Sequence, residues 1–289
     1  MNKHFYFLLL FPFVFAACNI INPNEEVPTY IHVEPFVFNN PDSSFTGSSF
    51  QIIPSARVSV DDITVGIFDL PCTVPVLLKK SGSLRVAPFV TNQGLKSYVF
   101  LYPFFAADTT TIIYNPGQVQ HFSPKTKYSA DLTGVSFRLK VNFEEGLLFR
   151  NLSGDTSLLL EQGAGKVLDG KYSGALYLNQ AHKASESISS NYFDWPATPC
   201  YLELEYRSTI PFSIGLQAEN SAGTTYKEYL AGFFPKDEHN KVYVELSTFT
   251  KANSSFSKFY ITLRGDLNDN DGKYKEGYVL IDNIKVISR

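Results

Sequence analysis

The sequence predicts an all-β protein built from two β-sandwich modules, and three observations lead to that prediction. Aromatic residues are abundant, with 25 Phe and 17 Tyr against one Met in 289 residues, and such side chains favour strands. Short segments alternate between apolar and polar residues, and Gly, Pro, Asn and Ser separate them, as in β-sandwiches. No apolar pattern with helical spacing continues over three turns.

The alternating segments extend along most of the chain, with one interruption. They occupy residues 30–38, 57–60, 63–70, 84–90, 135–143, 173–178, 202–206, 212–216, 242–246, 259–263 and 278–286. Polar and turn-forming residues replace the alternation at 123–134. We therefore expect an N-terminal module at residues 29–125 and a C-terminal module at residues 135–289.

The N-terminus has the pattern of a secretory signal. An apolar run at residues 5–15 precedes small Ala16 and Ala17, immediately before Cys18. The run is shorter than the roughly 20 residues that span a bilayer, which favours a signal peptide at residues 1–17. Small residues before a cysteine resemble the bacterial lipobox, which implies cleavage before the cysteine and its lipidation. The alternative is ordinary signal cleavage that leaves a cysteine behind.

Residues 18–28 follow as a polar, proline-containing tether. Two or three acyl chains on Cys18 hold a protein at a membrane essentially permanently, so outer-membrane lipid is a predicted partner. Glu25 and Glu26 resemble the acidic stretch that marks surface export in Bacteroidota lipoproteins, and the alternative is a solvated linker. The predicted location is the outer membrane, lipid-anchored and facing the cell surface.

Charge and the placement of Cys and His residues argue against a nucleic-acid partner and a zinc motif. A net charge of -3 offers no electrostatic attraction to nucleic acid. Cys72 and Cys200 fall in different predicted modules, so we expect two small buried residues, and the alternative is a disulfide between them. The five histidines are scattered along the chain, and no Cys or His cluster has the spacing of a zinc motif.

The N-terminal module contains two short strands hinged at Asp61 and Asp62, a turn with Pro71, and a strand entered through Gly82. This order resembles the PEGA-like, immunoglobulin-type modules of bacterial envelope proteins. The resemblance implies a fold and no activity, because the pattern carries no chemical signature.

The C-terminal module resembles jelly-roll carbohydrate-binding, or galactose-binding-like, domains. The segments that carry this resemblance are residues 142–145, 170–177, 201–206, 241–246 and 279–286. The whole chain is similar to Bacteroidota outer-membrane lipoproteins that join two such modules after a signal peptide.

Strand parity predicts a ligand-binding face on the C-terminal module. In residues 201–208, Leu202 and Leu204 lie on one face of the strand, and the odd-numbered residues lie on the other. Sugar recognition uses aromatic rings against C–H groups and charged groups against hydroxyls, and the outward positions offer both. The alternative is a solvated face with cross-strand pairs. The predicted ligand residues on this face are Tyr201, Glu203, Arg207, Tyr243, Tyr260 and Arg264.

Trp195 is the only tryptophan, in a loop-like stretch at residues 191–196. With Tyr192 it could form a binding hot spot, so it joins the predicted ligand-binding residues. The alternative is a residue that caps the open end of the sandwich core.

Glu144 and Asp282 match acidic positions that hold a structural calcium ion in related jelly rolls. Calcium takes six to eight oxygen ligands, so backbone carbonyls or water would have to complete the site. The alternative is an exposed glutamate and a turn-forming aspartate. No other cofactor is predicted.

No catalytic constellation stands out. Glu203 and Glu205 point the same way from one strand, whereas glycosidase carboxylates flank a bond at about 5–9.5 Å. Neither Cys72 nor Cys200 lies in a nucleophile motif, and no G-x-S-x-G sequence occurs. The sequence therefore predicts a non-catalytic surface lipoprotein that binds glycan through its jelly roll. The alternative is a structural or accessory subunit of an outer-membrane protein complex.

Overall fold

The structure, a computed structural model, describes residues 25–39, 47–129, 135–194, 196, 198–268 and 272–289. The predicted signal peptide, Cys18 and Trp195 lie outside the described residues. Strands dominate the rest, and the helix α1 (Ser247–Ala252) has only six residues. The predicted fold class, all-β with β-sandwich sheets, is confirmed. No helix in the described part of the chain is long and apolar enough to cross a membrane.

Among the described residues, ten strands precede residue 130. They are β1 (Thr29–Val33), β2 (Val37–Phe38), β3 (Ser55–Val60), β4 (Ile63–Asp69), β5 (Cys72–Val76), β6 (Gly82–Thr91), β7 (Val99–Leu101), β8 (Asp108–Ile112), β9 (Val119–Phe122) and β10 (Lys125–Thr126). The largest sheet formed by these ten strands has the order β4-β3-β6-β7, with β8 also on β6, and a second has the order β5-β1-β9. Their apolar faces share a core that includes Ile31, Val58 and Leu84, all fully buried.

The predicted hinge between β3 and β4 is a two-residue hairpin turn. Asp61 and Asp62 have φ of 47° and 64°, the left-handed backbone that the tightest hairpins require. The Asp61 carboxylate accepts a hydrogen bond from the backbone N–H of Ser83 at 2.8 Å. A Cβ atom at Gly82 would lie 2.7 Å from that carboxylate, so this contact requires glycine where β6 begins.

Twelve strands follow in the described part of the chain after residue 135. They are β11 (Ser136–Val141), β12 (Phe149–Gly154), β13 (Leu159–Gln162), β14 (Tyr172–Leu178), β15 (Ala184–Ser189), β16 (Phe193–Asp194), β17 (Cys200–Ser208), β18 (Phe212–Glu219), β19 (Thr225–Phe233), β20 (Lys236–Glu245), β21 (Lys258–Asp266) and β22 (Gly277–Ser288). One sheet has the order β13-β14-β22-β17-β20, with β11 on β22. The other has the order β12-β15-β21-β18-β19, with β16 on β21. We call them the covered sheet and the open sheet.

The two C-terminal sheets enclose the largest core of the described chain. Leu202 and Leu204 of β17 are fully buried in it, as strand parity predicts, opposite Ile261 and Leu263 of β21. Each such side chain stabilises the fold by about 1.5–3 kcal/mol relative to an exposed one. Cys200 is buried in the same core, and Cys72 lies in β5; both are free thiols.

A third apolar cluster joins strands from before and after residue 130. Tyr102, Phe104 and Phe105, from the segment after β7, pack against Tyr243 of β20 and Ile287 of β22. The backbone N–H of Gln93 also donates to the carbonyl of Tyr243 at 2.7 Å. The N-terminal module therefore covers the outward face of the covered sheet at β17, β20 and β22, which gives the sheet its name.

Candidate functional site

The prediction that Tyr201, Glu203 and Tyr243 form a solvent-facing ligand surface is wrong. Parity does turn them away from the sandwich core, but β7 and the aromatic segment after it pack over them. Glu203 is fully buried, and Tyr243 is 1% exposed. The Tyr102 ring lies 4.9 Å from that of Tyr243, and the Phe100 ring stacks on Tyr201 at 5.2 Å. These aromatic contacts close the face at Glu203 and Tyr243 and leave Tyr201 half-buried.

Glu203 is the centre of a buried charge network in this interface. Its two carboxylate oxygens accept hydrogen bonds from the hydroxyls of Tyr102 and Tyr128, each at 2.7 Å. The Lys241 ammonium lies 3.2 Å from the carboxylate, and the Lys285 ammonium lies 3.9 Å from it. Burial alone would raise the pKa of Glu203, but the two ammonium groups and the hydroxyls hold it below its usual value.

The same network has opposite effects on the pKa of Lys285 and on the pKa values of the two phenols. Burial, with the nearby Lys241 charge, lowers the pKa of Lys285 to about 8. Burial, and then the charge of Glu203, raise the pKa of the Tyr102 and Tyr128 hydroxyls well above the usual value. These pKa shifts keep Glu203 ionised and the two phenols neutral in the folded protein.

Glu205 extends the network toward the rim of the interface. Its carboxylate lies 3.2 Å from the Lys241 ammonium and 2.8 Å from Nε2 of His239. The imidazole of His239 stacks on the ring of Phe50 with centroids 4.0 Å apart. Glu203 and Glu205, adjacent outward positions in the sequence, therefore both serve the contact between the modules.

Arg207 lies further along β17 and has a structural role. Its guanidinium donates to the carbonyl of Gly165 and lies over the ring of Tyr278, 5.9 Å from the centroid. The side chain is half-buried, and its role as a ligand residue stays a prediction.

Tyr260 and Arg264 lie on the open sheet, so the prediction that they share a face with Tyr201 is wrong. Parity assigns them outward correctly, since Ile261 and Leu263 between them are in the core. However, β21 pairs with β15 and β18 and not with β17.

The outward face of the open sheet carries a mixed polar and aromatic cluster. The Glu186 carboxylate, 7% exposed, accepts hydrogen bonds from Ser153, Lys227 and Tyr229, on strands at both edges of the sheet. Burial raises its pKa, but those three donors outweigh burial and hold the pKa below the usual value. Thr262 lies in the same sheet, fully buried, with no hydrogen-bond partner for its hydroxyl among the described residues.

A pocket of about 230 Å³ opens beside this cluster, and we call it the Arg264 pocket. The Arg264 guanidinium pairs with the Asp266 carboxylate at 2.7 Å and lies 5.8 Å from the centroid of the Tyr229 ring. Phe234 forms another wall and is 78% exposed. The pocket is lined by Pro211, Phe212, Ser213, Gly232, Phe233, Phe234, Arg264 and Asp266.

Sequence reasoning identified Arg264 but missed its neighbours. Asp266 continues the outward parity of Tyr260 and Arg264, so extending β21 by two residues would have found it. Phe234 lies just beyond β19, in a pair of phenylalanines of which Phe233 is in the core. No sequence pattern tells which of the two rings is exposed.

The structure brings the two predicted calcium ligands to one pocket. Glu144 and Asp282 line a cavity of about 330 Å³ together with Asp169 and Asn142. Oε1 of Glu144 accepts two backbone N–H bonds, from residues 171 and 172, and Oδ2 of Asp282 accepts the Ser173 hydroxyl. Burial raises the pKa of Asp282 to about 8. The nearest oxygens of Glu144 and Asp282 already accept hydrogen bonds from the protein, so calcium binding here stays a prediction.

No protein-family model matches the chain, and no curated protein matches it. Solved structures resemble about half of it. TmCBM61, solved in complex with β-1,4-galactotriose, is 15% identical with a TM-score of 0.35 and covers 53% of this chain and 99% of its own. The C-terminal family 22 carbohydrate-binding module of Clostridium thermocellum Xyn10B is 11% identical with a TM-score of 0.35, covering 53% of this chain and 94% of its own. A family 29 module, complexed with mannohexaose, is 12% identical with a TM-score of 0.34, covering 54% and 94%. The similarity assigns no ligand to this chain.

Proposed function

We propose that the protein binds glycan at the Arg264 pocket of its C-terminal module, without catalysing a reaction. The observation that carries this proposal is an exposed aromatic ring beside a paired guanidinium and carboxylate. The Phe234 ring can pack on the C–H face of a sugar, while Arg264 and Asp266 supply charge-assisted hydrogen bonds to hydroxyls. Pockets for drug-sized ligands typically have volumes of about 300–1,000 Å³. Because this pocket is smaller, it suits one terminal sugar unit.

The distribution of carboxylates supports binding over hydrolysis. A glycosidase generally needs two carboxyl groups on either side of the bond it cleaves, and Asp266 is the one carboxylate among the described residues that line the pocket. Glu203 and Glu205 are committed to Lys241 and to the tyrosine hydroxyls in the interface.

The proposal is tested by screening the purified protein on a glycan array and titrating any positive glycan calorimetrically. Phe234→Ala and Arg264→Ala should each weaken binding by about tenfold or more, as hot-spot truncations do. Because Phe234 is mostly exposed, its removal should change the free energy of unfolding by no more than about 0.5 kcal/mol. Tyr114→Ala, which removes an exposed ring from the N-terminal module, is the matched control and should bind normally. An array without signal for folded wild-type protein, or equal affinity in all variants, rejects the proposal.

A second candidate function, subunit of an outer-membrane protein complex, is favoured by a different surface. Strand β4 lies at the end of its sheet and pairs only with β3 among the described residues. Ile63, Val65 and Ile67 of this strand are 73%, 38% and 50% exposed. An apolar edge strand is a ready surface for strand addition by another protein. Affinity purification after mild detergent extraction, with wild type beside Ile67→Lys, should recover one stoichiometric partner with wild type alone if this candidate is right.

The proposed location rests on the sequence pattern alone. Lipidation at Cys18, export past the outer membrane and display on the surface are inferred from the signal at residues 1–17 and from Glu25 and Glu26.

A further inference from the structure

We propose that His32, Glu34 and His121 of the N-terminal module form a binding site for a divalent transition-metal ion, with Zn²⁺ as the best-fitting example. The two histidines are far apart in the sequence and meet because β1 and β9 are parallel neighbours. Their pairing register sets His32 directly beside His121. Glu34 follows two residues after His32 and continues on the same side of the strand.

The backbone under these residues is well held. Ile31 and Val33, which alternate with the site residues, are fully buried in the N-terminal core. The N–H of Glu34 donates to the carbonyl of Phe122 at 2.9 Å, which extends the β1–β9 ladder past the site. The three side chains therefore project outward from a rigid pair of strands, a placement that favours precise ligand geometry.

The distances are close to those that a tetrahedral ion requires. Nε2 of His32 lies 3.5 Å from Oε1 of Glu34, and Nδ1 of His121 lies 3.9 Å from the same oxygen. One ligand atom from each residue lies within 4.8 Å of the other two. With zinc bonds of about 2.0–2.1 Å, tetrahedral ligand atoms are separated by about 3.4 Å. The His121 side chain, 68% exposed, is free to make the remaining adjustment.

A supporting hydrogen bond orients His32 for this role. Its Nδ1 lies 2.8 Å from the hydroxyl of Thr73, which is its register partner on β5. When Nδ1–H donates to that oxygen, the lone pair of Nε2 points toward Glu34 and His121. Metal-binding histidines almost always use their second nitrogen in this way. Two imidazoles and one carboxylate leave a fourth position for water or a ligand from another molecule.

Isothermal titration with Zn²⁺ and visible spectroscopy with Co²⁺ test the site on protein that carries no histidine tag. Wild type should bind one Zn²⁺ per chain at micromolar concentration or below, and the Co²⁺ form should show the intense visible bands of tetrahedral coordination. His121→Ala should weaken zinc binding at least tenfold, and Thr73→Val, which removes the supporting hydroxyl, by about 10–100-fold. His182→Ala removes an exposed histidine of the C-terminal module and should bind as wild type.

Unfolding midpoints measured in EDTA separate loss of the site from loss of the fold. His121→Ala should match wild type in EDTA and lose only the zinc-dependent increase. No one-to-one binding by wild type below about 100 μM, or equal zinc affinity in wild type and His121→Ala, overturns the proposal. Neither result bears on glycan binding at the Arg264 pocket, which lies in the other module.

Discussion

Replacing Glu203 by Gln should destabilise the protein by about 3 kcal/mol at pH 7, because the change leaves buried positive charge without its main partner. Removing one member of a buried ion pair typically costs about 3–5 kcal/mol. Two features of the structure place the value at the lower end. Lys241 retains its ion pair with the Glu205 carboxylate at 3.2 Å in the variant. Lys285 has a pKa of about 8 and can therefore release its proton. Because pH 7 is about one unit below this pKa, deprotonating Lys285 costs about 1 kcal/mol, and this is the most that Lys285 can add to the destabilisation.

The penalty should therefore depend on pH. In the folded protein the pKa of Lys285 is lowered to about 8, below its unfolded value of about 10.4. The unfolded chain binds more protons between these values, so this group adds stability as the pH rises through that window. Above pH 8 Lys285 is already neutral in wild type, and the loss of Glu203 matters less. The destabilisation by Glu203→Gln should be about 1 kcal/mol smaller at pH 9 than at pH 7.

Urea denaturation at both pH values measures these differences. The matched control is Glu161→Gln, which breaks an ion pair with Lys166 at 3.2 Å on the surface. Exposed pairs contribute about 0–1 kcal/mol, so the control should unfold close to wild type. If Glu203→Gln lies within about 0.5 kcal/mol of wild type at pH 7, Glu203 is hydrated in solution and the packing of the two modules derived above is wrong.

Two further predictions concern the calcium ligands and the anchor. Calcium bound to the folded protein alone raises stability by about 2.7 kcal/mol at 100 times the dissociation constant, so excess calcium should raise the melting temperature of wild type above its value in chelator. Glu144→Gln and Asp282→Asn should abolish the increase in melting temperature, and the control Glu145→Gln should retain it. Identical wild-type melting curves in chelator and in calcium would reject the site. Cys18→Ala should abolish metabolic labelling with fatty acid and retention in the membrane fraction, and undiminished labelling of this variant would show that Cys18 is not the lipidated residue.

The sequence alone determined the fold class and which side chains of β17 and β21 face the core. Alternation at residues 202–206 and 259–263 assigned Leu202, Leu204, Ile261 and Leu263 inward, and the structure buries all four. Turn chemistry placed the hairpin at Asp61 and Asp62. These features are local, since the direction of a side chain follows from its position within its own strand.

Only the tertiary structure decided what covers each outward face. Parity treats Glu203 and Arg264 alike, yet one is buried beneath the N-terminal module and the other lines an open pocket. In the same way, His32 and His121 meet because two strands pair in parallel across 89 positions. Strand order and the docking of modules depend on contacts between distant segments, and no period within a single strand encodes them.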